Sequence, residues 1–341
     1  MGASMYIAKT TLDDLLRQVF EKVVKHGVTV RASRGETLEL GSVLLRLSNP
    51  RARLSHTEKK GKVFSGLGEL LWYLAGSNSL KFIAYYLQQY EEDSEDRKTI
   101  YGAYGPRMFN LRGHDQIHNV VTLLTQKPES RRAVIQLFDA EDLAAPRKEI
   151  PCTCSLQFMI RAGRLNMATV MRSNDAYLGL SHDMFAFTMI QEILARTLKV
   201  ELGGYTHFVG SLHIYRKHGN AVQKYLQEGW QPTQNVAMPE MPNGAPWPSV
   251  KALVQAEAAI RRGRDPKQFL DGLEPYWQDL GRLLQVYRCF QDGNNREIAR
   301  IRKKMASPVY DQYITKKVRG VRSVPQSGQY ELFAQDADSD E

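Results

Sequence analysis

The sequence is poor in cysteine and lacks long apolar runs. Its 341 residues include 3 cysteines, too few for a disulfide framework, so we expect a protein of the reducing cytoplasm. No stretch approaches the ~20 consecutive apolar residues that a membrane-spanning helix requires. The first residues, MGASMYIAKTTLDDLL, carry Asp13 and Asp14 where a signal peptide would be apolar, and we therefore expect no secretion signal.

Several widespread catalytic and binding motifs are absent as well. The sequence contains no G-x-x-x-x-G-K-S/T, no G-x-G-x-x-G, no H-E-x-x-H and no G-x-S-x-G. Cys152 and Cys154 are closer together than the cysteines of a C-x₂-C zinc site, and the sequence offers no second pair. Nucleotide-loop, dinucleotide, zinc-protease and α/β-hydrolase chemistry are therefore not expected, and neither is a bound metal.

Basic residues outnumber acidic ones, with 46 Lys and Arg against 37 Asp and Glu and a formal charge of +9. Such a balance permits an anionic partner, including nucleic acid. The basic residues are nevertheless interleaved with acids, and the densest group, at 296–304, has the spacing of a solvated helix face. No RNA-binding aromatic pattern accompanies it, so nucleic acid is not the expected partner. A small phosphorylated ligand would need only a few arginines.

The hydrophobic pattern predicts an α+β protein with a helical C-terminal region. A Pro-rich passage separates the mixed part of the chain from an Ala-, Leu- and Arg-rich part. We expect a catalytic region at 1–240, a mostly helical extension at 241–322 packed on it, and a disordered acidic tail at 323–341. The predicted elements are helices over 11–26, 64–75, 79–91 and 182–198, strands over 37–47, 133–138 and 205–215, and a hairpin over 153–171 that turns at 162–164.

Three polar clusters are candidates for chemistry. Cys152 follows Pro151 at the entry of a β-rich run, and the arginines at 131–132 and 172 could lower the pKa of its thiol. Polar groups are dense in MRSNDAYLGLSHDMF at 171–185, and GSLHIY at 210–215 places His213 and Tyr215 on one face of a strand. Taken singly, the cysteine could be structural and Asp183 could be a residue of a helix N-terminus.

Taken together and in order, these segments resemble the thymidylate synthase family. The resemblance runs from ETLELGS near residue 36 to HIY ending at 215, through ELLWYLAG, YG, SRR, PC, QF, RS-x-D-x-x-LGL and H-x-Y. Each part alone is a weak signal, whereas the ordered set is highly specific. The resemblance implies a mixed sheet packed with long helices, a homodimer formed through that sheet, and 5,10-methylenetetrahydrofolate as co-substrate.

The resemblance also implies the reaction and the residues that perform it. A cysteine, here Cys152, adds to C6 of a pyrimidine nucleoside 5′-monophosphate, so that C5 attacks the one-carbon unit of the folate. Glu69 of GELLW would manage protons around the base through water. A tyrosine of the YG motif would help to remove the C5 proton. The motif occurs at Tyr101 and Tyr104, and we prefer Tyr104 because a glycine and then an arginine follow it.

The binding residues implied by the resemblance fall into three groups. Guanidinium groups suit phosphate because they bind it through two hydrogen bonds at once. The expected phosphate ligands are Arg172, Ser173 and Arg34 of the same chain, with Arg131 and Arg132 donated by the partner subunit. The expected sugar ligands are His213 and Tyr215, and the expected folate contacts are Asp175, which would bind the pterin, with Leu178 and Gly179 beside it.

Two departures from the family pattern bear on the substrate and the product. Asp183 stands where methylating enzymes have an asparagine that matches uracil, and a carboxyl group can instead accept from N4 of cytosine. No tryptophan occurs in 86–100, and the chain ends in DADSDE rather than an apolar segment. Both absences favour water as the final nucleophile, as in deoxycytidylate 5-hydroxymethylases. Because Arg131, Arg132, Arg172 and Ser173 are retained, we favour dCMP over CMP.

Two alternatives remain at this point. The first is a methylating thymidylate synthase that acts on dUMP despite Asp183. The second, of another class, is a non-catalytic nucleotide- or RNA-binding protein, for which only the +9 charge speaks. A pure binding protein would not need Cys152, Glu69 and Tyr104 together.

Overall fold

A mixed sheet organises the chain. The computed structural model describes residues 5–57, 62–231 and 236–322, with the predicted tail at 323–341 lying outside them. In these ranges seven strands form one sheet. They are β1 Met5–Lys9, β2 Val28–Ala32, β3 Gly35–Leu47, β4 Val134–Gln136, β5 Thr153–Arg161, β6 Arg164–Asp175 and β7 Glu201–Tyr215. The predicted α/β class with a mixed sheet is thus confirmed.

The strand order brings distant parts of the sequence to one edge of the sheet. The order is β1-β3-β7-β6-β5-β4, with β2 also paired to β3. β6 and β7 are parallel, with Asp175 opposite His213, whereas β5 and β6 are antiparallel, with Thr153 opposite Met171. The start of β5 and the ends of β6 and β7 therefore meet.

Helices cover one face of this sheet and extend beyond it. They are α1 Leu12–His26, α2 Val63–Leu74, α3 Leu80–Ala84, α4 Tyr90–Asp93, α5 Tyr104–Asn110, α6 Gln116–Gln126, α7 Leu180–Thr197, α8 Gly219–Gln227, α9 Trp247–Arg261, α10 Lys267–Leu270, α11 Pro275–Gln291, α12 Asn295–Arg302 and α13 Asp311–Arg322. α7 is buried nearly all round, including polar side chains such as Gln191 and Glu192, because it is enclosed on several sides. None of the described helices is long and apolar enough to cross a membrane.

On the opposite face of the sheet, apolar side chains are only partly covered by the other described residues and are partly exposed to solvent. Leu44, Phe208 and Val170 lie side by side across β3, β7 and β6, and Val170 is 37% exposed. Val134 on the edge strand β4 is 41% exposed. This row of side chains, Leu44, Phe208 and Val170, is called the open sheet face below.

Most predicted elements are found within a few residues of their expected bounds. The β5–β6 hairpin pairs Arg161 with Arg164, and both turn residues, Ala162 and Gly163, have positive φ. Positive φ at both positions defines a type I′ turn, whose twist suits a two-residue hairpin. The hairpin prediction is confirmed.

The predicted helix over 79–91 is wrong. The chain forms α3 and α4 with a turn between them, because tertiary contacts replace the helical hydrogen bonds. The carbonyl of Tyr85 accepts a hydrogen bond from the Tyr287 hydroxyl at 2.9 Å, where a continuous helix would use an amide four residues on. The Tyr86 ring turns inward and occupies the space where a Cβ of Gly68 would lie.

The helical extension packs on α2 and on the segment between α3 and α4. The Tyr86 hydroxyl donates to Glu257 of α9 at 2.9 Å, and Tyr287 of α11 stacks near Tyr86 with ring centroids 5.1 Å apart. At the expected boundary, the amide of Met241 donates to Glu192 of α7 at 3.0 Å. The division of the chain at residue 240 stays a prediction.

Candidate active site

Cys152 and Tyr104 lie beside each other at the start of β5. The Tyr104 hydroxyl accepts hydrogen bonds from the Thr153 amide at 3.1 Å and from the Thr153 hydroxyl at 3.0 Å. Because both groups of Thr153 are donors, the Tyr104 hydroxyl group remains able to donate its own proton to another acceptor. Burial raises the pKa of Tyr104 well above its usual value, and the nearby Cys152 thiolate and Asp183 carboxylate would raise it further. Tyr104 therefore stays protonated.

Arg172 holds the backbone before Cys152 and approaches the thiol. Its Nε donates to the Pro151 carbonyl at 2.9 Å, and its Nη2 donates to the Ile150 carbonyl at 3.1 Å. Nη2 also lies 3.7 Å from Cys152 Sγ. Burial raises the pKa of Cys152 to about 11, although the charge of Arg172 opposes this. The thiol is thus protonated at neutral pH, and the positively charged guanidinium group of Arg172 is in contact with it.

Glu69 is buried on α2 among tyrosines. Its Oε1 accepts a hydrogen bond from the Tyr90 hydroxyl at 2.7 Å. Burial raises the pKa of Glu69, and hydrogen bonds from Tyr90 and Tyr73 partly counteract that rise. A carboxyl group with a raised pKa can take up and release protons nearer to neutral pH than an exposed glutamate can.

Asp183 lies in the first turn of α7, next to Asn174 at the end of β6. Its Oδ2 accepts a hydrogen bond from Asn174 Nδ2 at 2.6 Å. Burial raises the pKa of Asp183 to about 8, the negative charge of Glu69 adds to the rise, and the Asn174 hydrogen bond opposes it. At pH 7 Asp183 is therefore mainly a neutral acid, which can accept at one oxygen and donate from the other.

Asp175 fixes the turn between β6 and α7 with one oxygen and leaves the other unsatisfied. Oδ1 accepts from the amides of Tyr177 at 2.8 Å and Leu178 at 3.0 Å. Oδ2 is buried and has no partner among the described residues. A buried acceptor without a donor is costly. Gly179 follows, where a Cβ would lie 3.4 Å from Asp183 Oδ2.

His213, Tyr215 and Arg34 border the same edge of the sheet. The rings of His213 and Tyr215 are 5.2 Å apart and perpendicular, and Ser173 lies opposite Ser211 on β7. Arg34 forms an ion pair with Asp93 at 2.5 Å. Its charge also lowers the pKa of Cys152, although burial dominates there. The structure thus places most of the expected same-chain residues near one another, and their roles stay predictions.

Arg131 and Arg132 lie apart from this group. Both are exposed, and they precede β4, whose Val134 pairs with Gln157 of β5. At ~3.3 Å per residue this register puts them roughly 20 Å along β5 from Cys152. Within one chain they cannot reach a ligand that contacts Cys152.

Three residues that line the site were missed from the sequence: Tyr73, which bonds to Glu69, Tyr90 and Glu149. Glu149 Oε2 accepts from the Gly102 amide at 3.1 Å, and the negative charge of Glu149 raises the pKa of Cys152. Tyr90 lies in a charged stretch with no periodic pattern, so nothing local marked it. Among the described residues no group of His, Cys, Asp and Glu side chains could hold a metal ion.

The fold brings a thiol, an arginine and buried carboxyl groups together at one edge of the sheet. The family model for thymidylate synthase matches residues 13–243. The chain therefore belongs to the thymidylate synthase family.

Three relatives of this chain come from bacteriophages. A deoxyuridylate hydroxymethyltransferase of Delftia phage PhiW-14 is 29% identical over 207 residues, which cover 57% of this chain and 57% of the relative. Proteins of the same name from Pseudomonas phage M6 and Bacillus phage SP01 are 30% identical over 186 residues and 28% identical over 216 residues. These two matches cover 54% and 59% of this chain, and 53% and 56% of the lengths of the relatives. The chain thus matches little more than half the length of these relatives.

Proposed function

We propose that the protein transfers a one-carbon unit from 5,10-methylenetetrahydrofolate to C5 of a pyrimidine nucleoside monophosphate, and that water completes a 5-hydroxymethyl product. The observation that carries this proposal is the convergence of Arg172, Tyr104 and Asp183 on Cys152 in a chain of the thymidylate synthase family. The names of the phage relatives support the hydroxymethyl outcome.

The reaction begins and ends at Cys152. Its thiolate adds to C6, and C5 then forms a bond to the one-carbon unit. The C5 proton leaves, with the Tyr104 hydroxyl and water nearby, and tetrahydrofolate departs with the electron pair of its C–N bond. Water adds to the resulting exocyclic methylene group and loses a proton. The electron pair moves into the ring, the C6–S bond breaks, and the thiolate is restored.

The remaining side chains bind the substrates. Arg172, Ser173 and Arg34 are proposed to hold the phosphate of the nucleotide, and His213 with Tyr215 its sugar. Arg34 would exchange Asp93 for the phosphate. For the pterin we propose Asp175, because its buried Oδ2 lacks a donor among the described residues and a ring N–H would supply one.

We favour cytosine as the base because of Asp183. A neutral carboxyl group can accept from the N4 amino group and donate to N3 of cytosine. An asparagine oriented to match uracil would leave a buried polar group mismatched against cytosine, which costs about 1–3 kcal/mol, or one to two decades of discrimination. With the retained arginines, dCMP is our first candidate and CMP the second.

Hydroxymethylation of dUMP is a second candidate function, favoured by the names of the relatives. The same neutral Asp183 could accept from N3–H and donate to O4 of uracil, so its protonation accommodates either base. The two bases differ in which oxygen of the Asp183 carboxyl group must carry the proton. Because Oδ2 accepts a hydrogen bond from Asn174, the carboxyl proton is more stable on Oδ1.

We also propose a homodimer formed through the open sheet face. The row of Leu44, Phe208 and Val170 offers apolar area that the other described residues cover only in part, and covering such a face stabilises association. A partner subunit on this face could bring Arg131 and Arg132 to the phosphate, which one chain alone cannot do.

Tritium release from C5-labelled dCMP, CMP and dUMP with methylenetetrahydrofolate tests the function, with mass analysis of each product. We expect release from dCMP and a gain of CH₂O. Release from dUMP with the same gain would support the second candidate. A gain of CH₂ with formation of dihydrofolate would mean a methylating enzyme, and binding without release from any nucleotide would mean a non-catalytic protein.

A further inference from the structure

Tyr90 reaches Glu69 from outside the helix that carries Glu69. It is the first residue of α4, and its hydroxyl donates to Glu69 Oε1 at 2.7 Å. Its ring packs edge-on against Trp72 of α2 with centroids 5.5 Å apart. A phenylalanine would make the same ring contact, so the hydroxyl group is needed only for its polar partner.

The chain around Tyr90 is fixed on both sides. Before it, the Tyr85 carbonyl accepts from Tyr287 and the Tyr86 hydroxyl donates to Glu257. After it, the Ser94 hydroxyl donates to the Thr99 carbonyl at 2.8 Å. Burial raises the pKa of Tyr90, the charge of Glu69 raises it further, and the charge of Glu149, which also acts on Cys152, adds to the rise, so the Tyr90 hydroxyl faces the cluster around Cys152.

We propose that Tyr90 is a positioning residue for Glu69, and that the Tyr90–Glu69 pair directs the water that attacks the exocyclic methylene group. This inference rests on the proposed function. The water oxygen bonds to the methylene carbon, and its proton passes to Glu69. The electron pair of the exocyclic double bond moves into the ring, and cleavage of the C6–S bond then restores C5=C6 and the Cys152 thiolate.

The titratable groups that face Glu69 determine how pH acts on this step. Tyr73 faces it from α2, Tyr90 from α4 and Asp183 from α7. The tyrosine hydroxyls stabilise the ionised carboxylate, which is the form that accepts a proton from water. Without the Tyr90 hydroxyl the pKa of Glu69 rises further, so the ionised fraction at a given pH falls.

The test compares Tyr90→Phe with Tyr86→Phe. Tyr86 is a matched control because it too donates its hydroxyl to a buried glutamate, Glu257. For Tyr90→Phe we expect kcat at pH 7 to fall about 10-fold and the acid limb of kcat to move up by about one pH unit. The KM for the nucleotide should change less than about 2-fold, since Tyr90 would not touch the nucleotide.

A second readout is the ratio of tritium released to hydroxymethyl product formed. It should be one in the wild type and in Tyr86→Phe, and should exceed one in Tyr90→Phe, because hydration of the methylene group is the slowed step. Thermal unfolding of both variants checks folding. In a Glu69→Gln background, Tyr90→Phe should add no further loss, since the two side chains act together.

The outcomes separate this inference from the proposed function. A wild type that makes hydroxymethyl nucleotide, with a Tyr90→Phe variant whose acid limb and release ratio equal those of Tyr86→Phe, would overturn the role of Tyr90 alone. An independent loss in the Glu69→Gln background would also overturn it. A wild type that releases no tritium would overturn the proposed function and this inference with it.

Discussion

Cys152 and Asp183 are common residue types that their surroundings make unusual. Burial raises the pKa of Cys152 to about 11 and that of Asp183 to about 8. Both groups are therefore mainly protonated at pH 7. A thiol that must become a nucleophile needs a base or a change of surroundings on binding.

Replacing Cys152 by alanine removes the proposed nucleophile without a large change in volume. We expect turnover to fall below about 10⁻³ of the wild-type rate, while nucleotide affinity stays within a few-fold. Tritium release and equilibrium binding of the nucleotide measure the two effects. Cys154→Ala is the matched control, and full activity in Cys152→Ala would rule out the covalent mechanism.

Asp183→Asn tests the choice of base. An asparagine cannot exchange its donor and acceptor by moving a proton, so we expect a shift from cytosine towards uracil nucleotides by about 10-fold in the ratio of kcat/KM values. The ratio for dCMP against dUMP measures the shift. An unchanged ratio would show that Asp183 does not read the base.

The same substitution has a consequence for stability. An unfolded aspartate titrates near ~3.9, whereas burial raises the pKa of Asp183 in the folded chain to about 8. Between these values the folded chain holds a proton that the unfolded chain loses, so the free energy of unfolding falls as pH rises. Relative to wild type, Asp183→Asn should gain on the order of 5 kcal/mol between pH 4 and pH 8. Urea unfolding at both pH values measures it, and a pH-independent difference would contradict it.

Among the elements, those with a strong local pattern were predictable. α1, with leucines and valines on one face, and the β5–β6 hairpin, with its Ala-Gly turn, are found as expected. The segment 79–91 was not, because α3 ends after Ala84, where the Tyr85 carbonyl and the Tyr86 hydroxyl bond to Tyr287 and Glu257, which are 202 and 171 residues away in sequence.

The same limit applies to the site. Cys152, Glu69 and Asp183 belong to motifs, so the sequence pointed to them, and their roles stay predictions. Tyr90 and Glu149 belong to no motif. Their significance lies in contacts with Glu69 and Gly102, which only the folded chain forms.

The Tyr86 ring packs closely against α2, the helix that carries Glu69, at the position of Gly68. A substitution at Gly68 tests how much this close contact contributes to stability and activity. A Cβ at Gly68 would lie 2.2 Å from the Tyr86 ring, so the ring or the helix must move. We expect Gly68→Ala to destabilise the fold by about 1–3 kcal/mol and to reduce turnover. Gly219→Ala, where nothing lies within 4 Å of the new Cβ, should be neutral. Differential scanning calorimetry compares them, and equal Tm values would contradict this packing.

At the scale of the whole molecule, the proposed dimer makes each site depend on two chains. Sedimentation should show a species of about 78 kDa, twice the 38.8 kDa chain. Val170→Lys on the open sheet face should weaken the dimer by at least about 10-fold, since a lysine there loses its water on association. Val24→Lys on α1, at a side chain of similar exposure, should leave the dimer intact. A single 39 kDa species for the wild type at micromolar concentration would contradict the proposal.

Shared sites also predict complementation. Cys152→Ala and Arg132→Ala should each be inactive alone. Mixed dimers of the two should regain activity, because one of their two sites has both an intact cysteine and an intact arginine from the opposite chain. Refolding the two variants together and assaying tritium release measures this recovery. No recovery would place Arg132 outside the site of the partner.

The lengths of the outer strands limit how such chains can aggregate. β1 and β2, which flank β3, have 5 residues each, and β4 at the opposite edge has 3. Edges this short offer few unpaired amide and carbonyl groups to an incoming strand. Growth by adding strand to strand, which leads to fibrils because it never closes, is therefore disfavoured. A contact through a sheet face related by a two-fold axis stops at two copies.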